Sequence, residues 1–389
     1  MHLPDSARLI EALERVGVRL VIVSSGGGSL AISRLVTTPG ASGVVVEALV
    51  PYAREAIDRL LGGPQESYCA PRTARRLAMA AWQRARQCDA AADRAVGVAV
   101  SAALRSREPK RGDHRVVVAV QTLAATLTLE VVLEKGLRTR AEEEEVAAAL
   151  VLDALAAECG GAAAAGAVPL RPGETVRRDR VEAAADWRRI MAGERRVAPG
   201  SDACAGEPKA GALVFPGSFD PLHEGHRLMA RIAEEVAERP VEWELSVANV
   251  DKPPLDYAEI RDRAAQFSAR ADGAATMPLW LTRAATFLEK LAVFPEGTFV
   301  MGADTYVRLA DPRYYGGSDE AAAAAVATIA REARGLIVFG RVKDGVFQDP
   351  AHLDVPQALR DVTYFVSQRE FRLDVSSTEL RRAAARGDG

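Results

Sequence analysis

Apolar positions along this chain fall into two rhythms, and the switches between them outline the elements. Short runs rich in β-branched residues read as strands: VRLVIVSS from Val18, AVGVAVSAAL from Ala95, HRVVVAVQT from His114 and ATLTLEVVL from Ala125. Apolar residues at helical spacing occupy YAREAIDRLLG from Tyr52, RTARRLAMAAWQRARQC from Arg72 and AEEEEVAAALVLDALAAECG from Ala141. Residues 1–160 are thus predicted to form an α/β domain with some antiparallel pairing. The texture then thins to Ala, Gly and Pro over residues 161–210, broken by one helix-like piece, RVEAAADWRRIMAGE from Arg180, which predicts a linker with a short helix. From 211 to 389 the strands ALVFPGSFD, EWELSVANV, TFVMGAD, GLIVFGR and VTYFVS alternate with helical segments, among them DEAAAAAVATIAREARG from Asp319. That rhythm predicts a Rossmann-like parallel sheet with ligands at the strand C-termini. No internal repeat is visible.

Composition changes this picture only by exclusion. With 389 residues, 48% hydrophobic and 26% charged, the chain suits two globular domains. A net charge of -3 supplies no general pull toward nucleic acid or anionic membrane, so any phosphate must be held by a local site and the partner is expected to be small. Cys69, Cys88, Cys159 and Cys204 form no CxxC pair, which fits reduced thiols rather than a disulfide framework or a zinc site. No run approaches a membrane span, and the opening MHLPDSARLIEALERVG lacks the features of a targeting signal, so the cytoplasm is the expected location.

The chain has five histidines, and two of them, His223 and His226, flank Gly225 in VFPGSFDPLHEGHRLMARIAEEVAE. A strand feeding this turn would place both at the first turn of a helix, where free backbone N–H groups and the helix dipole favour a bound phosphate. Gly217 and Gly225 allow close approach of main chain to ligand, and imidazoles can donate to phosphoryl oxygens as charge develops in an in-line displacement. The spacing is wrong for a zinc HExxH helix, and no protein-bound metal is expected.

The string resembles the GxFxPxHxGH signature of the HxGH nucleotidylyltransferase superfamily, matched by Gly217, Phe219, Pro221, His223, Gly225 and His226. About 150 residues on, DVSSTELRR is similar to the (I/V)SSTxIR motif of nicotinamide and nicotinate mononucleotide adenylyltransferases, through Ser376, Ser377, Thr378 and Arg381. The resemblance implies that His223 and His226 are catalytic and that Gly217, Ser218, Phe219, Gly225, Ser376, Ser377, Thr378 and Arg381 hold nucleotide and phosphate. It adds Gly302 and Asp304 from MGADT to the nucleotide side, and Lys252 and Arg341 to the substrate side. Plain readings stand beside these: Ser376, Ser377 and Asp304 as helix caps, and Lys252 as a solvated residue.

In the first half, VIVSSGGGSLAISRLVTTPGASGVVVEALVPYAREAIDRLLG resembles the C-terminal domain of CinA, the nicotinamide mononucleotide amidase fold, with PGAS at residues 39–42 matching letter for letter. The resemblance places the family's catalytic serine on Ser25 and its tyrosine on Tyr52. The lysine position, however, holds Ile57, and the preceding glutamate is Ser24; isoleucine cannot take a proton from a serine hydroxyl. A degenerate amidase site on a retained CinA-like α/β sandwich is expected, with self-association through this domain as a further implication. SSGGGS also reads simply as a tight turn.

Together these readings predict transfer of AMP from ATP, carried with Mg²⁺, to a small phosphorylated metabolite, nicotinamide or nicotinate mononucleotide being favoured, with release of pyrophosphate. Hydrolysis of nicotinamide mononucleotide through Ser25, and a silent nucleotide-binding regulator, are the competing expectations.

Overall fold

The computed structural model describes residues 6–88, 93–160, 167–268, 275–343 and 346–370. The chain forms two compact units, Met1–Arg188 with Asp251–Glu259, and Arg189–Val250 with Ile260–Gly389.

In the first unit, β1 (Arg19–Ser25), β2 (Val45–Leu49), β3 (Ala95–Ala103), β4 (His114–Gln121), β5 (Ala125–Leu133) and β6 (Arg177–Glu182) form one sheet in the order β2-β1-β3-β4-β5-β6. Strand β1 runs parallel to both neighbours, and the pairings from β3 through β6 are antiparallel. The central strands are buried on both faces, which explains why they read as continuous apolar runs. One face, with Leu20, Ile22, Val98, Val118 and Leu129, shares a core with residues of the helices Ser6–Arg15, Ser29–Val36 and Arg140–Leu155. The other face packs on the helix Pro71–Cys88. There Gly97 is required by close approach, since a Cβ would lie 2.1 Å from the Ala78 carbonyl oxygen and 2.3 Å from the Trp82 nitrogen.

The second unit contains β7 (Val197–Pro199), β8 (Leu213–Pro216), β9 (Val241–Ser246), β10 (Leu279–Thr282), β11 (Thr298–Gly302), β12 (Gly335–Phe339), the small hairpin β13 (Arg341–Lys343) and β14 (Val346–Gln348), and β15 (Thr363–Val366). Its main sheet has the order β15-β12-β11-β8-β9-β10-β7, parallel except for β7. From β8 the chain winds one way to β9 and β10, then returns to build β11, β12 and β15 on the other side. The direction therefore reverses between β8 and β11, and a crevice for ligands opens at the C-terminal edge of such a switch point.

The stretch expected to be a linker is partly ordered into sheet. It supplies the edge strand β6 to the first sheet, the edge strand β7 to the second, and the helix Ala185–Ala192 between them. Strand β6, RRDRVE, is almost wholly exposed, and β7 has three residues, so neither carries the apolar signal of a core strand. Among the described residues no helix is long and apolar enough to cross a membrane.

Candidate active site

The site is built on the turn that leaves β8. The Gly217 N–H donates to the Glu244 carbonyl on β9 at 3.0 Å, which ties the turn to the sheet. A Cβ on Gly217 would lie 2.5 Å from two ring atoms of Phe219, so only glycine lets that ring fold back beneath the turn. Phe219 adopts φ 44, the left-handed region, and is completely buried. Its ring meets Trp243 at 5.2 Å, Phe267 at 5.2 Å, Phe215 at 5.8 Å and the His226 imidazole at 5.4 Å, all edge-on. Phe219 is thus the floor under His226, with its side chain enclosed by protein.

His223 caps the helix Glu224–Ala237 in an extended conformation, and its backbone N–H donates to His226 Nδ1 at 3.3 Å. With Nδ1 accepting, a neutral His226 carries its proton on Nε2, which leaves one imidazole donor for a ligand. The two rings stack with centroids 3.8 Å apart and planes 26° from parallel. Burial, and then the repulsion of His223, push the His226 pKa down to about 3, and burial lowers that of His223 as well. His223 Nδ1 is buried without a hydrogen-bond partner among the described residues. Such an orphan is an incentive to bind a ligand.

Two residues that the sequence reading did not single out hold the turn. Gln266 accepts from the Leu222 N–H at 2.7 Å and donates to the Phe219 carbonyl at 3.0 Å. Arg263 donates to the Ser218 carbonyl at 3.0 Å and reaches the Asp220 carboxylate at 3.5 Å. In YAEIRDRAAQF both look like ordinary polar positions of a helix, and nothing local reveals that they face a turn over forty residues earlier in the chain.

The expected nucleotide-side residues of β11 arrive at the same edge of the sheet. Gly302 caps the helix Ala303–Arg308 with φ -85, a conformation open to any residue, but a Cβ there would meet nothing within 4 Å. The space beside Gly302 is therefore open. Asp304 lies exposed in the first turn of that helix, Ser218 is exposed, and Gly225 is buried in the helix that carries His226. Because β11 pairs directly with β8, the helix starts bearing His226 and Asp304 flank the switch point. Lys252 is exposed and belongs to Asp251–Glu259, the segment grouped with the first unit. Arg341 opens β13, and its side chain lies outside the described residues, as do Ser376, Ser377, Thr378 and Arg381 entirely. No three His, Cys, Asp or Glu side chains converge as a metal site among the described residues.

In the first unit, Ser25 ends β1 at 6% exposure, Ile57 is buried at 3%, and Tyr52 is 70% exposed. Three donors at the turn that follows Ser25 are taken by the protein itself. The Glu144 carboxylate accepts from Gly28 N–H at 2.9 Å, Leu30 N–H at 3.0 Å and the Ser29 hydroxyl at 3.1 Å, at the start of the helix Ser29–Val36. The sequence gives a tight turn here, and the structure gives that turn an internal anion.

Residues 214–383 match the family model described as cytidylyltransferase-like. Among solved structures the N-terminal part is similar to CinA-superfamily proteins. The Escherichia coli competence-damaged protein is 18% identical, covering 40% of this chain and 92% of that one, with a TM-score of 0.33. The Agrobacterium tumefaciens competence/damage inducible protein is 23% identical, covering 40% and 95%, with a TM-score of 0.32. The Enterobacter cloacae member is 19% identical, covering 39% and 86%, with a TM-score of 0.31. No curated protein matches the chain.

Proposed function

We propose that the second unit transfers AMP from ATP to a phosphorylated mononucleotide, with nicotinamide or nicotinate mononucleotide as the acceptor, and releases pyrophosphate. The observation that carries this reading is the stacked His223–His226 pair at a helix start beside the β8–β11 switch point, with His226 Nδ1 already satisfied by the His223 backbone. An acceptor phosphate oxygen attacks the α-phosphorus of ATP, the new P–O bond forms in line, and the bond to the pyrophosphate oxygen breaks. His226 Nε2–H and the His223 ring donate to the phosphoryl oxygens as charge grows on them. A donor set rigidly stacked before substrate arrives needs little reorganisation in the transition state. Mg²⁺ enters as part of the nucleotide co-substrate and spreads the charge of the leaving pyrophosphate; Asp304 is an exposed oxygen donor of suitable chemistry on this edge. Ser377, Thr378 and Arg381 carry the β and γ phosphates in this reading, by the motif they match. The first unit serves a structural role, supported by Ile57 at the base position and by the Glu144 carboxylate at the Gly-rich turn.

The test is a pyrophosphate-release screen of the whole protein with ATP and CTP against nicotinamide and nicotinate mononucleotide, pantetheine phosphate, choline phosphate, glycerol phosphate and flavin mononucleotide. Turnover with ATP and a pyridine mononucleotide is expected. Turnover only with CTP or another acceptor would replace the substrate assignment, and release of ammonia dependent on Ser25 would move the activity to the first unit.

A further inference from the structure

The turn between β8 and the helix Glu224–Ala237 is held at both ends by one side chain. The Gln266 amide accepts from Leu222 N–H at 2.7 Å and donates to Phe219 carbonyl at 3.0 Å, so a donor and an acceptor on one rigid plane span four residues of the turn. The next residue after Leu222 is His223, whose own N–H reaches His226 Nδ1 at 3.3 Å. These contacts follow one another along the chain: Gln266 fixes the Pro221–Leu222 peptide, the Leu222 Cα joins it to the peptide that carries the His223 N–H, and that N–H selects which nitrogen of His226 is left to donate. Arg263 backs the same turn through the Ser218 carbonyl and the Asp220 carboxylate, at 3.0 and 3.5 Å.

We infer that Gln266 is a positioning residue for the proposed transfer, setting the tautomer and orientation of His226 through the Leu222–His223 backbone. The inference rests on the reading of His226 as a phosphoryl donor for its kinetic consequence, but its structural half stands alone. Gln266→Glu keeps the acceptor toward Leu222 and replaces the donor toward Phe219 by a second acceptor, while Gln266→Ala removes both. Long-range ¹H–¹⁵N spectra of the imidazoles decide the structural half without any turnover. In the wild type His226 shows a single Nε2–H tautomer, and in Gln266→Ala a mixture of both tautomers is expected in a protein that still folds, with a lowered melting temperature because the Leu222 N–H and Phe219 carbonyl lose their partner. An unaltered His226 tautomer in Gln266→Ala overturns the inference, whatever the enzyme does.

In pyrophosphate release, kcat of Gln266→Ala should fall on the order of ten- to a hundredfold with KM for ATP little changed, as expected when a donor is misaimed rather than a binding contact removed. Combined with His226→Ala, Gln266→Ala should have little further effect on kcat, because the residue it orients is gone. Full additivity in that double variant counts against this positioning role and in favour of a merely structural glutamine. A wild type silent with every acceptor would sink the proposed function while the spectra still judge Gln266.

Discussion

Lys290 and Glu244 form a buried ion pair, with Nζ 2.7 and 2.8 Å from the two carboxylate oxygens and 3.0 Å from the Ala284 carbonyl. Glu244 is fully buried, and Thr282 also donates to its carboxylate, so all the strong partners of both charges are internal. The Glu244 backbone in turn receives the Gly217 N–H, which puts this pair directly beside the strand end from which the candidate site grows. Breaking such a pair leaves a charge buried without its partner, a loss of about 3–5 kcal/mol. Lys290→Met should therefore destabilise the second unit by that order in urea denaturation. Lys290→Met with Glu244→Gln should recover part of it, and equal loss in the double variant would contradict an ion-pair origin.

His226→Ala should lower kcat for pyrophosphate release by about a hundred- to a thousandfold, the usual effect of removing one preorganised donor. The circular dichroism spectrum should be unchanged, since the ring sits on the aromatic floor without being part of the main core. Retention of full activity would mean that the transfer chemistry lies elsewhere.

The low pKa of His226 predicts a definite pH dependence of stability. The unfolded chain binds a proton to this ring near pH 6.5, whereas the folded protein does so only near about 3, so between those values the unfolded state holds more protons. The contribution is complete above pH 6.5 and is lost as pH falls toward 3. Relative to His226→Asn, which does not titrate there, the wild type should lose stability faster on acidification from pH 7 to pH 4.5. Parallel stability curves for the two proteins across that interval would show that the ring is not buried in its neutral form.

Gly217→Ala should disturb the site through Phe219. The added carbon would stand 2.5 Å from the ring, and the ring is enclosed by Phe215, Trp243 and Phe267. Overpacking of this kind destabilises by about 1–3 kcal/mol. The variant should show a lower melting temperature together with reduced turnover, and wild-type values for both would show that the ring can yield.

In the first unit, Glu144→Ala removes the acceptor of two backbone N–H groups and one hydroxyl at the start of the helix Ser29–Val36. A net loss of about 1–3 kcal/mol is expected, with faster amide exchange at Gly28 and Leu30. Unchanged exchange at those two amides would show that water replaces the carboxylate at no loss.

The strands β1, β3, β4, β5, β8, β9, β11, β12 and β15, the helices Pro71–Cys88 and Arg140–Leu155 and the histidine turn were legible from the chain alone, because core strands and amphipathic helices announce themselves through local periodicity and because Gly217, Pro221 and Gly225 constrain the backbone where they stand. Only the tertiary structure decided that β6 and β7 use the thin stretch between the halves as sheet edges, and that β10 lies between β9 and β7. The same holds for the stacking of the two imidazoles, the folding of Phe219 beneath His226, the Gln266 clamp, and Glu144 at the turn of the first unit. Each of these is a contact between residues whose partners are chosen by chain topology, and a hydrogen bond or ring contact closed over tens of residues leaves no periodic trace in the segment on either side of it.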